Sequence, residues 1–338
     1  LTTLTIALDV MGGDFGPPVT VHAAVRAVTQ YPELHIILCG IQSQIEHELN
    51  KVSLPLESQL TILHCSQVVE MDERPTATLR SKTDSSMRRA LELVEQGKAD
   101  ACVSAGNTGA LMTNAYYVLK TLPGIERPAL VTSLPTQTDK KVYLLDLGAN
   151  VECNSEVLFH YAVMGSVMAE QVEGIEKPRV ALLNVGEEQI KGNDRVKHAA
   201  QLLKDAPGIN FIGYLEGNDI FSNRADVVVT DGFVGNIALK ACEGLGKLVI
   251  SEVKRITGRN LLTKAMALLA LPFLKKIYSR VNPDQYNGAS LIGLRGIVVK
   301  SHGNASVDAF LYAIKEAKQE ISRQVPTKIK DKIEIALG

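Results

Sequence analysis

Ala225-Asp226-Val227-Val228-Val229-Thr230-Asp231-Gly232-Phe233-Val234-Gly235-Asn236-Ile237-Ala238-Leu239-Lys240-Ala241 decides the fold. Ala225 to Val229 reads as a buried strand, and Ile237 to Ala241 opens a helical run without a strong breaker. Two glycines at the junction let backbone N–H groups approach a ligand with no Cβ in the way. A helix start adds unpaired N–H donors and a partial positive charge. The stretch therefore predicts an anion-accepting pocket at the carboxyl end of a strand, where open α/β sheets bind ligands. Taken alone it reads equally well as an ordinary strand–turn–helix joint. Its recurrence along the chain makes the case for a site.

Outward from this joint, strands alternate with helices. Strands are expected at Leu4–Val10, Leu34–Gly40, Leu60–His64, Ala99–Ser104, Arg179–Asn184, Ile209–Tyr214 and Gly296–Lys300. Ala129–Ser133 and Val142–Asp146 suit a hairpin across the Pro135–Lys141 turn. The polar stretch Glu70–Ser86 reads as a long loop, 237–280 as a long helical region, and Ser306–Gln324 as the terminal helix. Most strands are unbroken Val/Ile/Leu runs, the mark of a largely parallel sheet covered on both faces. With no internal repeat and no Gly/Ser linker, residues 1–338 are expected to form a single three-layer, doubly wound α/β catalytic domain, with a 237–285 helical segment included.

The 338 residues are 46% hydrophobic and 22% charged, enough for a large core. A net charge of -1 gives no global drive towards nucleic acid. The five cysteines form no C-x-x-C pair, which argues against a disulfide frame or a zinc site and fits a reducing cytoplasm. Residues 1–9 read as a strand rather than a signal peptide. The longest strongly apolar run, Ala265–Leu274, is about half of the roughly twenty residues a membrane span needs.

Five joints share one design: Met11-Gly12-Gly13-Asp14, Ser104-Ala105-Gly106-Asn107-Thr108-Gly109, Leu147-Gly148-Ala149-Asn150, the Asp231–Asn236 stretch and Ser301-His302-Gly303-Asn304. In a parallel sheet their carboxyl ends converge on one edge, so the five are expected to line one polar cleft suited to phosphate. Candidate contacts are Gly12, Gly13, Asp14, Ser104, Gly106, Asn107, Thr108, Asp231, Gly232, Ser301, His302 and Gly303. No joint is a P-loop, and none carries the dinucleotide fingerprint near the first strand. Lys191, in the polar loop after Arg179–Asn184, can neutralise phosphate or an oxyanion, or be a solvated surface lysine. Lys82 has the same two readings, and His302 reads as a base or as a turn cap. No metal-ligand spacing stands out, and no cofactor is expected.

Between Arg255 and Arg280, basic residues flank a greasy run broken by Pro272. A protruding helical hairpin with Leu268, Leu271 and Phe273 at its tip and Lys275 and Lys276 on its shoulders would suit an anionic membrane or a carrier protein. A dimer interface or a helix packed on the body are the competing readings.

Together these motifs resemble the bacterial phosphate acyltransferase (PlsX) family of fatty acid and phospholipid synthesis. The resemblance rests on Val10–Asp14, Lys82-Thr83-Asp84-Ser85-Ser86-Met87, Ser104–Ala110, Asp146-Leu147-Gly148-Ala149-Asn150, Asn184–Glu188, Lys191-Gly192-Asn193, Thr230–Asn236 and Lys300-Ser301-His302-Gly303. It covers nearly the whole chain and is loosest over 261–280. It implies transfer of a long fatty acyl chain from acyl carrier protein to inorganic phosphate. The acyl phosphate then serves a downstream glycerol-3-phosphate acyltransferase in making phosphatidic acid. It also implies a phosphotransacetylase-like and isocitrate-dehydrogenase-like fold, a homodimer, and a cytoplasmic protein held peripherally at the inner face of the cell membrane. The family's functional lysine and asparagine fall on Lys191 and Asn236.

The mechanism these residues can carry is direct attack of bound phosphate on the thioester, without an acyl-enzyme. Three other readings compete: a short-chain phosphotransacylase using coenzyme A, an NAD-dependent decarboxylating dehydrogenase, and a non-enzymatic membrane scaffold.

Overall fold

A computed structural model describes residues 3–52, 59–258, 268–273, 275 and 287–337. The chain opens with β1 (Leu4–Asp9), α1 (Pro17–Gln30), β2 (Leu34–Gly40), α2 (Gln42–Leu49) and β3 (Leu60–His64). Pro17 and Pro18 start α1, where a missing N–H costs nothing. Next come α3 (Pro75–Ser81), α4 (Ser86–Glu95), β4 (Ala101–Ser104) and α5 (Thr108–Leu119), then the expected antiparallel hairpin of β5 (Ala129–Pro135) and β6 (Lys141–Leu145). After it run α6 (Ser155–Glu173), β7 (Arg179–Leu183), α7 (Asp194–Asp205), β8 (Asn210–Leu215) and β9 (Val227–Val229). The long α8 (Gly232–Thr257) precedes β10 (Ala289–Ile292), β11 (Ile297–Lys300), α9 (Val307–Arg323) and α10 (Val325–Leu337).

The eleven strands form one sheet, in the order β3-β2-β1-β4-β11-β10-β5-β6-β9-β7-β8. Seven of its ten pairings are parallel. The three central ones, β11–β10, β10–β5 and β5–β6, are antiparallel. That odd number of reversals turns the second half around: β6, β9, β7 and β8 run opposite to β3, β2, β1, β4 and β11. Helices cover both faces. One face carries α1 and α9 over β1, β2, β4 and β11, and α6, α7 and α10 over the second half. A continuous apolar cluster with α4 and α5 spans the other face. The result is the expected three-layer, mostly parallel architecture.

Four features depart from the sequence reading. The polar stretch 70–86 contains the short α3. The strand β10 was not foreseen. The terminal helix breaks at Gln324, whose φ of 52° ends α9, and α10 follows. The expected single edge of loops is replaced by two, because the sheet reverses direction. Most of the proposed basic-apolar hairpin lies outside the described residues, Lys276 included. Within it, Leu268, Leu269, Leu271, Phe273 and Lys275 are exposed. No described helix is long and apolar enough to cross a membrane.

The α9 helix buries an acid. Glu320 is 2% exposed, and among the described residues its Oε1 has no hydrogen-bond partner. Burial and the neighbouring Glu316 carboxylate push its pKa well above the ordinary 4.5. The folded state therefore holds this proton more tightly than the unfolded chain. The stability it contributes is full below about pH 4.5 and is lost as pH rises from there through the raised folded value. Glu320→Gln removes that penalty. Its melting temperature should exceed the parent's at pH 8 by at least about 2 °C, the shift that ~1 kcal/mol gives a large domain, and the gap should narrow towards pH 5. A thermal series showing no gap at pH 8 would contradict this.

Candidate active site

At one sheet edge, the loops after β1, β4 and β11 pack against each other. A Cβ on Gly12 would lie 2.6 Å from Asp9 Oδ2 and 2.7 Å from the Gly106 nitrogen. One on Gly13, at φ 92°, would lie 2.9 Å from the Gly303 carbonyl oxygen. The Asp14 N–H donates to that same carbonyl at 2.8 Å, and the Gly106 N–H donates to Ser104 Oγ at 3.0 Å. These glycines thus make room for neighbouring backbone, and several of the expected phosphate donors are engaged within the chain. Asn107 caps α5 through the Ala110 N–H at 3.0 Å and ties down the preceding loop by donating to the Met71 carbonyl at 2.7 Å.

At the other edge, the loops after β6, β9 and β7 are neighbours. Asp146, just past β6, is fully buried. Its carboxylate accepts from the backbone of Leu130 (2.9 Å), Ala149 (3.0 Å) and Asn150 (2.6 Å), while burial still raises its pKa. The first turn of α8 lies directly on this loop. A Cβ on Gly232 would fall 2.6 Å from the Asn150 carbonyl oxygen, and one on Gly235 would fall 1.9 Å from that of Asp146. The Gly232 N–H donates to Asn150 at 2.8 Å, and the Val234 N–H to Asp231 Oδ1 at 2.9 Å. The chain's own carboxylate and carbonyl therefore occupy the expected anion position at the start of α8.

From this edge α8 crosses the sheet face over β5 and β10 and encloses a cavity of about 440 Å³. One part of its lining is polar: Thr108, Asn236, Lys240, Glu243, Lys300, Ser301 and His302. The rest is largely apolar, with Leu130, Leu134, Leu147, Phe221, Leu239, Leu245 and Val249. The cavity thus joins residues from both edges. Ser301 Oγ accepts from Asn287 Nδ2 at 2.8 Å, and His302 Nε2 lies 3.5 Å from Glu243 Oε1. A second cavity, of about 530 Å³, lies against the opposite flank of α8 between Val234, Ile237, Gly192, Asn193 and Arg195, and Cys242 borders both.

Lys191 lines neither cavity. It sits on the loop after β7, half exposed, 2.9 Å from Glu188 Oε2, and this pair raises its pKa. Lys82 also lies outside both cavities; its ammonium donates to the Val68 carbonyl at 2.9 Å and pairs with Glu73 at 3.1 Å. Among the described residues no three His, Cys, Asp or Glu are grouped to hold a metal ion.

Sequence reasoning passed over Lys300, Asp9 and Asp146 as site residues. A legible signal for Lys300 was a lysine closing the apolar run Ile297-Val298-Val299, directly before Ser301-His302-Gly303. For the two aspartates it was a carboxylate ending an apolar strand just before glycine.

Residues 4–328 match the family described as fatty acid synthesis protein. Over 331 residues the chain is 61% identical to a phosphate acyltransferase of Pseudoalteromonas atlantica, covering 98% of this chain and 97% of that protein. It is 58% identical over 339 residues to a phosphate acyltransferase of Colwellia psychrerythraea, covering 98% and 97%. In fold it is similar to a phosphotransacetylase from Streptococcus pyogenes, with a TM-score of 0.64, 18% identity and coverage of 95% and 94%. A branched-chain phosphotransacylase from Enterococcus faecalis aligns with a TM-score of 0.59 and 16% identity over 95% of this chain and 100% of that one.

The glycines of α8 separate two kinds of constraint. Gly235→Ala forces a methyl into the Asp146 carbonyl and should destabilise at the upper end of the ~1–3 kcal/mol typical of overpacking. Among the described residues nothing lies within 4 Å of the place a Cβ on Gly244 would take, so Gly244→Ala should stabilise by roughly 0.5–1 kcal/mol through helix propensity. Urea unfolding of the two variants checks both signs.

Proposed function

The chain belongs to the fatty acid synthesis protein family, and on that premise we propose that it transfers a long-chain acyl group from acyl carrier protein to inorganic phosphate. The observation that carries the reading is the α8 cavity, whose lining combines basic and hydrogen-bonding side chains with many apolar ones. A fatty thioester needs the second, and a small anionic nucleophile needs the first. The phosphate acyltransferase relatives support the acceptor. The carrier protein as donor rests on the motif resemblance.

In the proposed reaction a phosphate oxygen attacks the thioester carbonyl, the C–S bond breaks, and the carrier's thiolate leaves and takes up a proton. Phosphate is largely ionised near neutral pH, so it needs holding more than deprotonation. Asn236 lines the cavity, where its amide can donate to the developing oxyanion. Lys191 lies on the neighbouring loop of the same sheet edge. Its proposed task is to offset that charge, which requires its pair with Glu188 to open. The apolar lining of the cavity favours a fatty acyl donor over a short-chain coenzyme A ester.

The homodimer suits α8, which exposes Ile237, Leu245, Leu248, Val249 and Ile256; sedimentation as a monomer would exclude it. Peripheral contact with a membrane, and hand-over to a membrane-bound glycerol-3-phosphate acyltransferase, suit the exposed Leu268, Leu269, Leu271 and Phe273. Flotation with anionic vesicles reads this directly.

The deciding assay is phosphate-dependent release of free carrier protein and acyl phosphate from a long-chain acyl donor. Asn236→Ala should lower kcat by at least about tenfold with the melting temperature unchanged, the low end for loss of one oxyanion donor. Lys191→Ala should do the same, while Glu188→Gln should retain activity. Carrier release independent of phosphate would refute the reading. Full turnover in either alanine variant would remove that residue from the chemistry.

A further inference from the structure

Three polar residues stand in one row across adjacent strands. Sheet register sets Asp9 of β1 opposite Ser104 of β4, and Ser104 opposite Lys300 of β11. Two positions back along each strand, Ala7, Cys102 and Val298 belong to the apolar cluster on the cavity side of the sheet. The row therefore projects on that side, at the end of the strands. Asp9 is buried and both its oxygens are engaged, by Ser86 Oγ at 2.5 Å and by Ser104 Oγ at 2.6 Å. Lys300 is 8% exposed and lines the α8 cavity. Its ammonium donates to the carbonyls of Ala105, at 3.3 Å, and Ser301. Among the described residues no carboxylate lies within 4.0 Å of it. An ammonium has three N–H donors, and two protein acceptors leave one unspent. A buried cation with no carboxylate in contact is costly to keep, even with Asp9 and Asp14 near enough to attract it, and an anion entering the cavity offsets that cost.

We infer that Lys300 is the cation that receives the phosphate nucleophile, held by the Ala105 and Ser301 carbonyls beside the Asp9–Ser104 row. This rests on the acyl transfer to phosphate proposed above and names the group that binds the acceptor. Phosphate takes the third N–H of Lys300, with Ser301 and Thr108 at the same end of the cavity. Burial brings the pKa of Lys300 down to about 8, against the attraction of Asp9 on β1 and Asp14 on the loop after it. Across the cavity, α8 presents Lys240 and the Glu243 that pairs with His302. The cation is therefore present below about pH 8 and is lost above it. Phosphate binding should weaken over the same range.

The test uses the full chain, inorganic phosphate and a long-chain acyl donor. Lys300→Met should raise KM for phosphate by at least about tenfold while KM for the donor moves less than about twofold, as loss of a contact to one substrate requires. In the parent protein, KM for phosphate should climb above about pH 8, and Lys300→Met should lack that limb. An unchanged phosphate KM in the variant, or an equal rise in both KM values, overturns the inference. If Lys300→Met does not fold, a flat phosphate KM across the alkaline range in the parent protein overturns it instead. Calorimetry with phosphate alone separates this from the proposed function. If the parent makes no acyl phosphate, acyl transfer fails. The Lys300 assignment then survives only if the parent binds phosphate and Lys300→Met does not.

Discussion

The carboxylate of Asp146 sets the position of everything around the cavity. It stands where β6 ends and takes N–H groups from β5 and from its own loop. Those bonds offset the cost of burying a carboxylate, which burial alone would drive towards its neutral form. With the loop pinned, the first turn of α8 rests through Gly232 and Gly235 on the loop's backbone and on the Asp146 carboxylate itself. That contact seats the start of α8 at the edge, from which the helix lines a cavity together with β5 and the start of β10. The cavity beside α8, and the place of Asn236 in it, follow from that seating. Asp9 plays a related part at the other edge, but it engages hydroxyls from α4 and β4, so it ties a helix to the sheet rather than ordering one loop.

Strand existence was legible in the sequence because a sheet covered on both faces demands unbroken apolar runs. Val227–Val229, Val180–Leu182 and Ile297–Val299 each advertise that burial. Strand direction was not legible. It turns on β10, only four residues, Ala289-Ser290-Leu291-Ile292, with a serine inside and a glycine on either side. One unforeseen antiparallel strand changes the count of reversals, and with it the edge to which every later loop belongs. The helix α3 was hidden for a different reason. Its residues Pro75–Ser81 carry no apolar stripe and lie mostly outside the core, and only Thr78 is buried.

The glycine loops show where residue type stops short of chemistry. A glycine that admits a ligand and a glycine that admits another backbone look identical in sequence. Here Gly12, Gly13, Gly232 and Gly235 all have protein atoms where a ligand was expected. Asn236, which the resemblance singles out, lines the cavity. Lys191 was legible as a polar-loop lysine, yet its ammonium is turned to Glu188. Lys300 escaped because a residue at the end of an apolar strand reads as the strand's last member. Only the neighbouring strands reveal that it faces a cavity.

The capping of α8 also decides where positive charge for an anion must come from. A free helix start offers N–H groups and about half an elementary charge. At α8 the Asp231 carboxylate caps one of those N–H groups and the Asn150 carbonyl another. A dianion arriving there would meet a carboxylate. Across the cavity, Asn107 caps α5 with a neutral amide, which adds no repelling charge. The Lys300 ammonium lies on that side, against the Ala105 carbonyl of the loop leading into α5. The ammonium is therefore the charge that the β4–β11 side offers an anion, set against the Asp9 and Asp14 carboxylates that attract it. In the proposed reaction the α8 side, with its leucines and the neutral Asn236, is left for the uncharged thioester and its chain.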